Sequence, residues 1–256
     1  MVYWDRITLK SRAKAVLKNT YWMTFLALFI VSVLGGYSSS SGTGSSIGSS
    51  VGTTSSFTAG ALNSASTYSY DGIAMIVFLI FLIVGIFAIG YGVFVGSPME
   101  VGKCRYLTMC RYGEVDLGQL FFAFRGGHYW NMVKIVFLRN LYTFLWSLLF
   151  FIPGIIKTYE YWMIPYILAE NPGISKERAF ELSRATTHGE KWKIFVLQLS
   201  FFWWYLLGAI ACCGIGMIFI NPYVEATNAE LYGALRYKAV MSGFCTPDEI
   251  GRELFA

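Results

Sequence analysis

The stretch that decides the fold is IAMIVFLIFLIVGIFAIGYGVFVGS, residues 73–97, which runs for 25 residues without a charged side chain. A helix rises ~1.5 Å per residue and the hydrocarbon core of a bilayer is ~30 Å thick, so about 20 apolar residues cross it. Residues 73–97 are therefore long enough to span with some tilt. The composition of the whole chain agrees. Charged residues make up 14% of it and hydrophobic residues 55%, whereas a soluble domain carries about a quarter charged residues.

Upstream of this block, residues 37–72 are mostly Ser, Gly and Thr, with Asp71 the only charge. Such a segment buries too little apolar surface to offset its ordering entropy, which predicts a flexible external loop. Before it, residues 21–36 form a first apolar block behind a basic segment, 1–20. In that segment Ile7, Leu9, Ala13, Val16 and Leu17 fall on one helical side, away from Arg6, Lys10, Arg12, Lys14 and Lys18, the pattern of an amphipathic helix. A cleaved signal peptide, with Val33 and Gly35 as a weak cleavage site, is the competing reading and the less favoured one.

Downstream, Pro98 and Glu100 mark the cytoplasmic end of the second span, and 98–130 carries Lys103, Arg105, Arg111 and Arg125. A third block covers 131–152, Pro153-Gly154 turns the chain, and a fourth block covers 155–170 until Asn171-Pro172-Gly173 breaks it. The cytoplasmic segment 171–192 contains a short amphipathic helix with Ser175 as its N-cap. Blocks at 193–213 and 217–235 follow, then a tail at 236–256. Nineteen of the twenty basic residues fall on the side this path calls cytoplasmic, Lys157 being the exception. The expectation is an all-α polytopic transmembrane bundle in a bacterial cytoplasmic membrane, with both termini inside. It has about six spans, arranged as three hairpins that each follow a cytoplasmic amphipathic helix. The net charge of +5 thus encodes topology, and the lipid bilayer rather than nucleic acid is the expected partner.

The three units share a plan. Trp22, Trp130 and Trp192 stand where the chain enters each hairpin. Pro98, Pro165 and Pro222 stand in the return helices, and Glu100, Glu170 and Glu225 follow them. Threefold duplication would explain this, as would convergent interface chemistry, since Trp favours the headgroup zone. Duplication would bring the hairpins around a common centre.

Few residues are candidates for activity. Charges within apolar spans are expensive and so draw attention: Lys157 and Glu160, three apart on one helix, and Glu225 and Glu230 in the last span. Asn221 and Pro222 beside Glu225 would make a polar pocket of the kind seen at broken helices. The plainer account is structural, with Lys157 snorkelling to the outer interface and Arg139 to the inner one. Small residues at Gly85, Gly92 and Gly96, and again at Gly208 and Gly216, form ridges where another helix can approach closely. Five cysteines without a CxxC pair and two distant histidines give no metal or disulfide framework. No catalytic motif is present and no cofactor is expected. The 98–130 segment is too short for a catalytic domain, so an enzyme is not expected.

Several of these motifs recur together in a known pattern. The run Ile152-Pro-Gly-Ile-Ile-Lys157, then Tyr161 and Pro165 through Pro172, resembles a bacterial integral-membrane family of unknown function, number nine seven five in the domain-of-unknown-function series. Ala179, Ser183, Gly189, Lys191-Trp192-Lys-Ile-Phe195, Leu199-Ser200-Phe201, Trp204, Asn221-Pro222-Tyr223 and Ala226-Thr227 carry the same resemblance, which runs from Lys10 to Tyr232. It implies a distant likeness to the membrane portion of glycerophosphodiester phosphodiesterases without their hydrolase domain, and it implies no activity. A non-enzymatic organising or accessory membrane component, acting on a membrane protein partner, is favoured narrowly. The alternative is a transporter or lipid-handling protein with its ligand at Asn221, Pro222 and Glu225. A weaker third reading is a surface sensor of anionic lipid.

Overall fold

The computed structural model describes residues 4–34, 67–113, 115–149, 151–211, 215–247 and 249–250. Most of the Ser/Gly loop and the turn at Cys212, Cys213 and Gly214 lie outside the described residues. Every regular element among those described is helical: α1 (Arg6–Leu34), α2 (Thr67–Tyr91), α3 (Ser97–Cys110), α4 (Phe122–Arg125), α5 (Tyr129–Leu149), α6 (Phe151–Glu160), α7 (Ile164–Glu170), α8 (Lys176–Thr187), α9 (Lys191–Ala211) and α10 (Ile215–Met241). A π-turn at Gly92–Gly96 precedes α3, and a 3-10 turn at Leu117–Phe121 precedes α4.

The chain divides into two units, residues 43–91 forming one and the remainder the other. In the first, α2 exposes its large apolar side chains from Met75 through Phe87. An apolar surface of that length is compatible with membrane residence. Among the described residues, Met75–Cys110 and Tyr129–Leu149 are long and apolar enough to cross a membrane. A third candidate is the bent pair Arg6–Lys18 and Thr20–Ser32, whose axes meet at 94°.

In the second unit the bend falls between the basic segment and the apolar block of α1. The first limb buries Leu9, Ala13 and Leu17, four residues apart and so on one face, and the last two pack against Ala226 and Tyr223 of α10. Lys10 reaches Ser200 of α9 at 2.7 Å.

The centre of this unit is α3, and its position corrects an expectation. Pro98 and Glu100 do not end a helix: the chain remains helical to Cys110, and all but two residues of Ser97–Cys110 are buried. Pro98 sits in the first turn of α3, directly after the π-turn, and the Phe94 carbonyl four residues before it accepts instead from the Tyr129 hydroxyl at 2.6 Å. The Leu117–Phe121 turn covers α3 closely, because a Cβ at Gly102 would run into the Leu120 carbonyl.

The predicted fourth span, 155–170, also differs. It is two helices, α6 and α7, separated by a turn at Tyr161–Met163, with Pro165 in the first turn of α7. Ten residues of α6 reach only ~15 Å, half of a hydrocarbon core. At its start α6 lies tight against α5, since a Cβ on Gly154 would come within 2.6 Å of Ser147 Oγ. Ser175 caps α8 as predicted, accepting from the Arg178 N–H at 3.3 Å, and Gly189 turns α8 into α9 at φ +77°, a conformation glycine adopts freely.

The small-residue ridges divide. A Cβ built on Gly216 would lie 2.7 Å from the Gly208 carbonyl oxygen, so α9 and α10 touch backbone to backbone. Gly96 is buried, while a Cβ at Gly92, or within α2 at Gly85, meets nothing within 4 Å. Gly208→Val is therefore expected to lower the thermal midpoint in detergent, through an overpacking cost of about 1–3 kcal/mol. Gly92→Val is expected to leave it unchanged. Equal effects of the two substitutions would contradict this packing.

Candidate functional site

The candidate charges form a belt of ion pairs through the second unit. Helix α3 carries three of them. Glu100 accepts from both terminal nitrogens of Arg139 on α5, at 3.0 and 3.3 Å. Lys103 Nζ meets Glu225 Oε1 of α10 at 2.9 Å, and Arg111 grips Glu230 of α10 through two nitrogens at 2.9 and 3.3 Å. The Arg111 guanidinium lies flat on α10, where a Cβ on Gly233 would collide with it. A fourth pair joins Glu170, at the end of α7, to the fully buried Arg236 of α10. Beside it the Tyr166 and Tyr232 rings stack at 4.8 Å. Glu100, Glu170 and Glu225, the acids that follow Pro98, Pro165 and Pro222, thus all sit in cross-helix ion pairs.

Two further carboxylates each hold several cations. Glu160 receives Lys157 at 3.0 Å, Arg184 at 3.0 Å and Lys191 at 2.9 Å. Arg184 also donates to the Tyr161 hydroxyl at 2.9 Å, and the Ser183 hydroxyl donates to the Glu160 carbonyl at 2.7 Å. Lys157 therefore shares the Glu160 carboxylate with Lys191, at the start of α9, and its Nζ lies 5.6 Å from the Trp146 ring near the end of α5. Glu190 binds Lys193 at 2.9 Å and Lys238 at 2.6 Å. Burial pushes the Glu190 carboxyl up, but the two lysines more than offset this and hold it below the ordinary carboxylate range.

The expected polar pocket is filled. Asn221 accepts a hydrogen bond from the Tyr205 hydroxyl at 3.1 Å, Pro222 is buried within α10, and Glu225 is neutralised by Lys103. Sequence reasoning did not identify Lys103, Arg111 and Arg139 as the partners of these acids. The available signal was that α3 combines charges with Gly102, and α10 combines acids with Gly233, where a bulky neighbour must lie against bare backbone. Among the described residues no group of three His, Cys, Asp or Glu side chains converges as metal ligands do.

Elsewhere an open groove of about 1050 Å³ lies between α5, α8 and the end of α10. Phe180 and Tyr161 form its floor, with ring centroids 5.0 Å apart. Tyr142 and Trp146 form one wall, and Arg184 and Lys238 stand on its rim.

At the C-terminus, Arg178 of α8 holds Glu249 at 3.0 and 2.9 Å and the Phe244 carbonyl at 3.1 Å, seating Cys245 and Ile250 in buried positions. The guanidinium of Arg178 lowers the Glu249 carboxyl below its usual range.

Two predictions follow from these pairs. Arg139→Met is expected to destabilise the protein by about 3–5 kcal/mol, since Glu100 would be left charged and unpartnered; combining it with Glu100→Leu should restore most of that loss in denaturant unfolding. A double variant as unstable as the single one would show that the pair is not coupled. Second, a depressed carboxyl contributes stability above the ordinary carboxylate pKa of ~4.3 and loses it as pH falls through the lower folded value. Amide exchange over 244–250, corrected for intrinsic rates, should accelerate in that acid window. Glu249→Gln should reproduce the acceleration at neutral pH.

Comparison with known proteins is brief. No curated protein and no solved structure matches the chain, so the expected likeness to the phosphodiesterase membrane portion is not shown. The family described as Protein of unknown function (DUF975) matches residues 133–239, from α5 nearly to the end of α10. The chain is similar to that family over less than half its length, the part that holds Arg139, Glu160, Glu170, Glu225 and Arg236.

Proposed function

We propose that this chain is a multi-pass protein of a bacterial cytoplasmic membrane that organises or assists another membrane protein and catalyses no reaction itself. The observation that carries this reading is the engagement of every acidic candidate. Glu160, Glu225 and Glu230 are each held by a basic side chain from a different helix, and Asn221 is held by Tyr205. Charges so matched give a bundle one register, and among the described candidates they leave no acid unpaired. Membrane residence is supported by the two or three helices with enough apolar length. Six spans are reached by adding α9, α10 and the broken pair α6–α7, a form used where irregular backbone is enclosed by protein. Both termini then face the cytoplasm, and α8 and the first limb of α1 are the amphipathic helices at that surface. The joining of Glu100, Glu170 and Glu225 to neighbouring helices is what duplication of one unit would produce.

The transporter alternative, with its ligand at Asn221, Pro222 and Glu225, draws on the same residues but needs Glu225 to leave Lys103. Native mass spectrometry of the protein released from its own membranes separates the two readings. The organising role predicts a stoichiometric protein partner, retained when Glu225→Gln and Lys103→Met are combined. A small molecule bound by the wild type and lost in Glu225→Gln would overturn it. Alkaline washing of the membranes tests residence directly, since a spanning protein stays in the pellet.

A further inference from the structure

The groove between α5, α8 and α10 is not used by the reading above, and its chemistry is that of a lipid site. We infer that it seats one anionic phospholipid, with the phosphate at Arg184 and Lys238 and an acyl chain along α5 beside Leu138, Tyr142 and Trp146. The inference rests on the membrane residence argued above and goes beyond the organising role.

Charge is the first support. Among the described residues, Lys157, Arg184 and Lys191 share the one carboxylate of Glu160, and Lys238 pairs with Glu190. The cluster therefore carries an uncompensated positive charge. Arg184 and Lys238 belong one to each carboxylate, both face the groove, and their side chains keep 54% and 38% exposure, so each has donors left over. Two acids of α8 also line the groove, and each is paired with a base: Glu177 with Lys176 at 3.2 Å and Glu181 with Arg178 at 3.0 Å.

The second support comes from the wall. Leu138, Tyr142 and Trp146 are four residues apart and line one face of α5, a helix long and apolar enough to cross a membrane, over ~12 Å of its length. A groove closed on one side by a candidate span opens to the bilayer, which selects a lipid over a free phosphate as the occupant. Tyr161, beside Arg184, is of a residue type that settles where headgroup meets hydrocarbon. Tyr161 already holds cations over its face, Lys157 at 5.6 Å and Arg184 at 5.5 Å, which keeps them at the groove.

The test uses the full chain in nanodiscs of equal phosphatidylglycerol and phosphatidylcholine, released for native mass spectrometry. The wild type is expected to retain one phosphatidylglycerol in preference to phosphatidylcholine. Arg184→Gln and Lys238→Gln should each lower that occupancy about fivefold, while Arg12→Gln, on exposed α1 surface, should not. Unchanged helicity and thermal midpoint in the variants would separate lipid loss from misfolding. Equal retention of the two lipids by the wild type, needing no variant at all, overturns the inference, as does retention unaffected by both substitutions. Soluble glycerol phosphate competing as well as the lipid would show a free-anion site instead and overturn it too. A protein that washes from its membranes at alkaline pH fails at the earlier step, the membrane reading itself.

Discussion

The interaction on which the second unit depends is the pairing of the charges on α3 with those on α5 and α10. Helix α3 has the composition of a surface helix and the position of a core one. Glu100, Lys103 and Arg111 cannot be buried singly, because an isolated ion in a low-dielectric interior costs several kcal/mol even after relaxation. They are buried because Arg139, Glu225 and Glu230 arrive opposite them at hydrogen-bonding distance. A helix shifted by one turn, ~5.4 Å along its axis, would unpair them, so the register of α3 against both neighbours is tightly specified. Such pairs add less net stability than uniqueness of arrangement.

Close backbone approach serves the same end. Gly102 admits the Leu120 carbonyl against α3, and Gly233 admits the Arg111 guanidinium against α10. Both glycines stand within three residues of a paired charge, Lys103 in one case and Glu230 in the other. The smaller ridge of Gly208 and Gly216 works differently, joining α9 and α10 at the far end by van der Waals contact of bare backbone. The surplus of cations around Glu160 and Glu190 has no such internal purpose. Among the described residues three bases meet on Glu160, and that excess, beside an aromatic groove, is what points outward to a ligand.

Much was legible in advance where the signal was local. The division of α1 into a basic limb and an apolar one, the Ser175 cap and the pairing of Lys157 with Glu160 all concern residues within a turn or two of one another, where helical periodicity and capping chemistry act directly. The end of the second helix was misread, because a proline reads as a stop in sequence, whereas here a π-turn precedes it and the Tyr129 hydroxyl satisfies the Phe94 carbonyl. Residues 155–170 were read as one span because hydropathy averages over the break at Tyr161–Met163. That Glu160 also gathers Arg184 and Lys191 left no local trace, because those bases are contributed by later helices.

By itself the sequence determined that the chain is helical, that it contains runs apolar enough to cross a membrane, and which side of them is basic. These follow from the rise of a helix, the thickness of a bilayer and the cost of moving charge through it, none of which needs a neighbour. Only the tertiary structure decided that α3 is the centre, which acid meets which base, and where an open groove is left. The paired residues lie 39, 119 and 122 positions apart, and a partner chosen across such distances is set by packing, which leaves no local trace in composition or period.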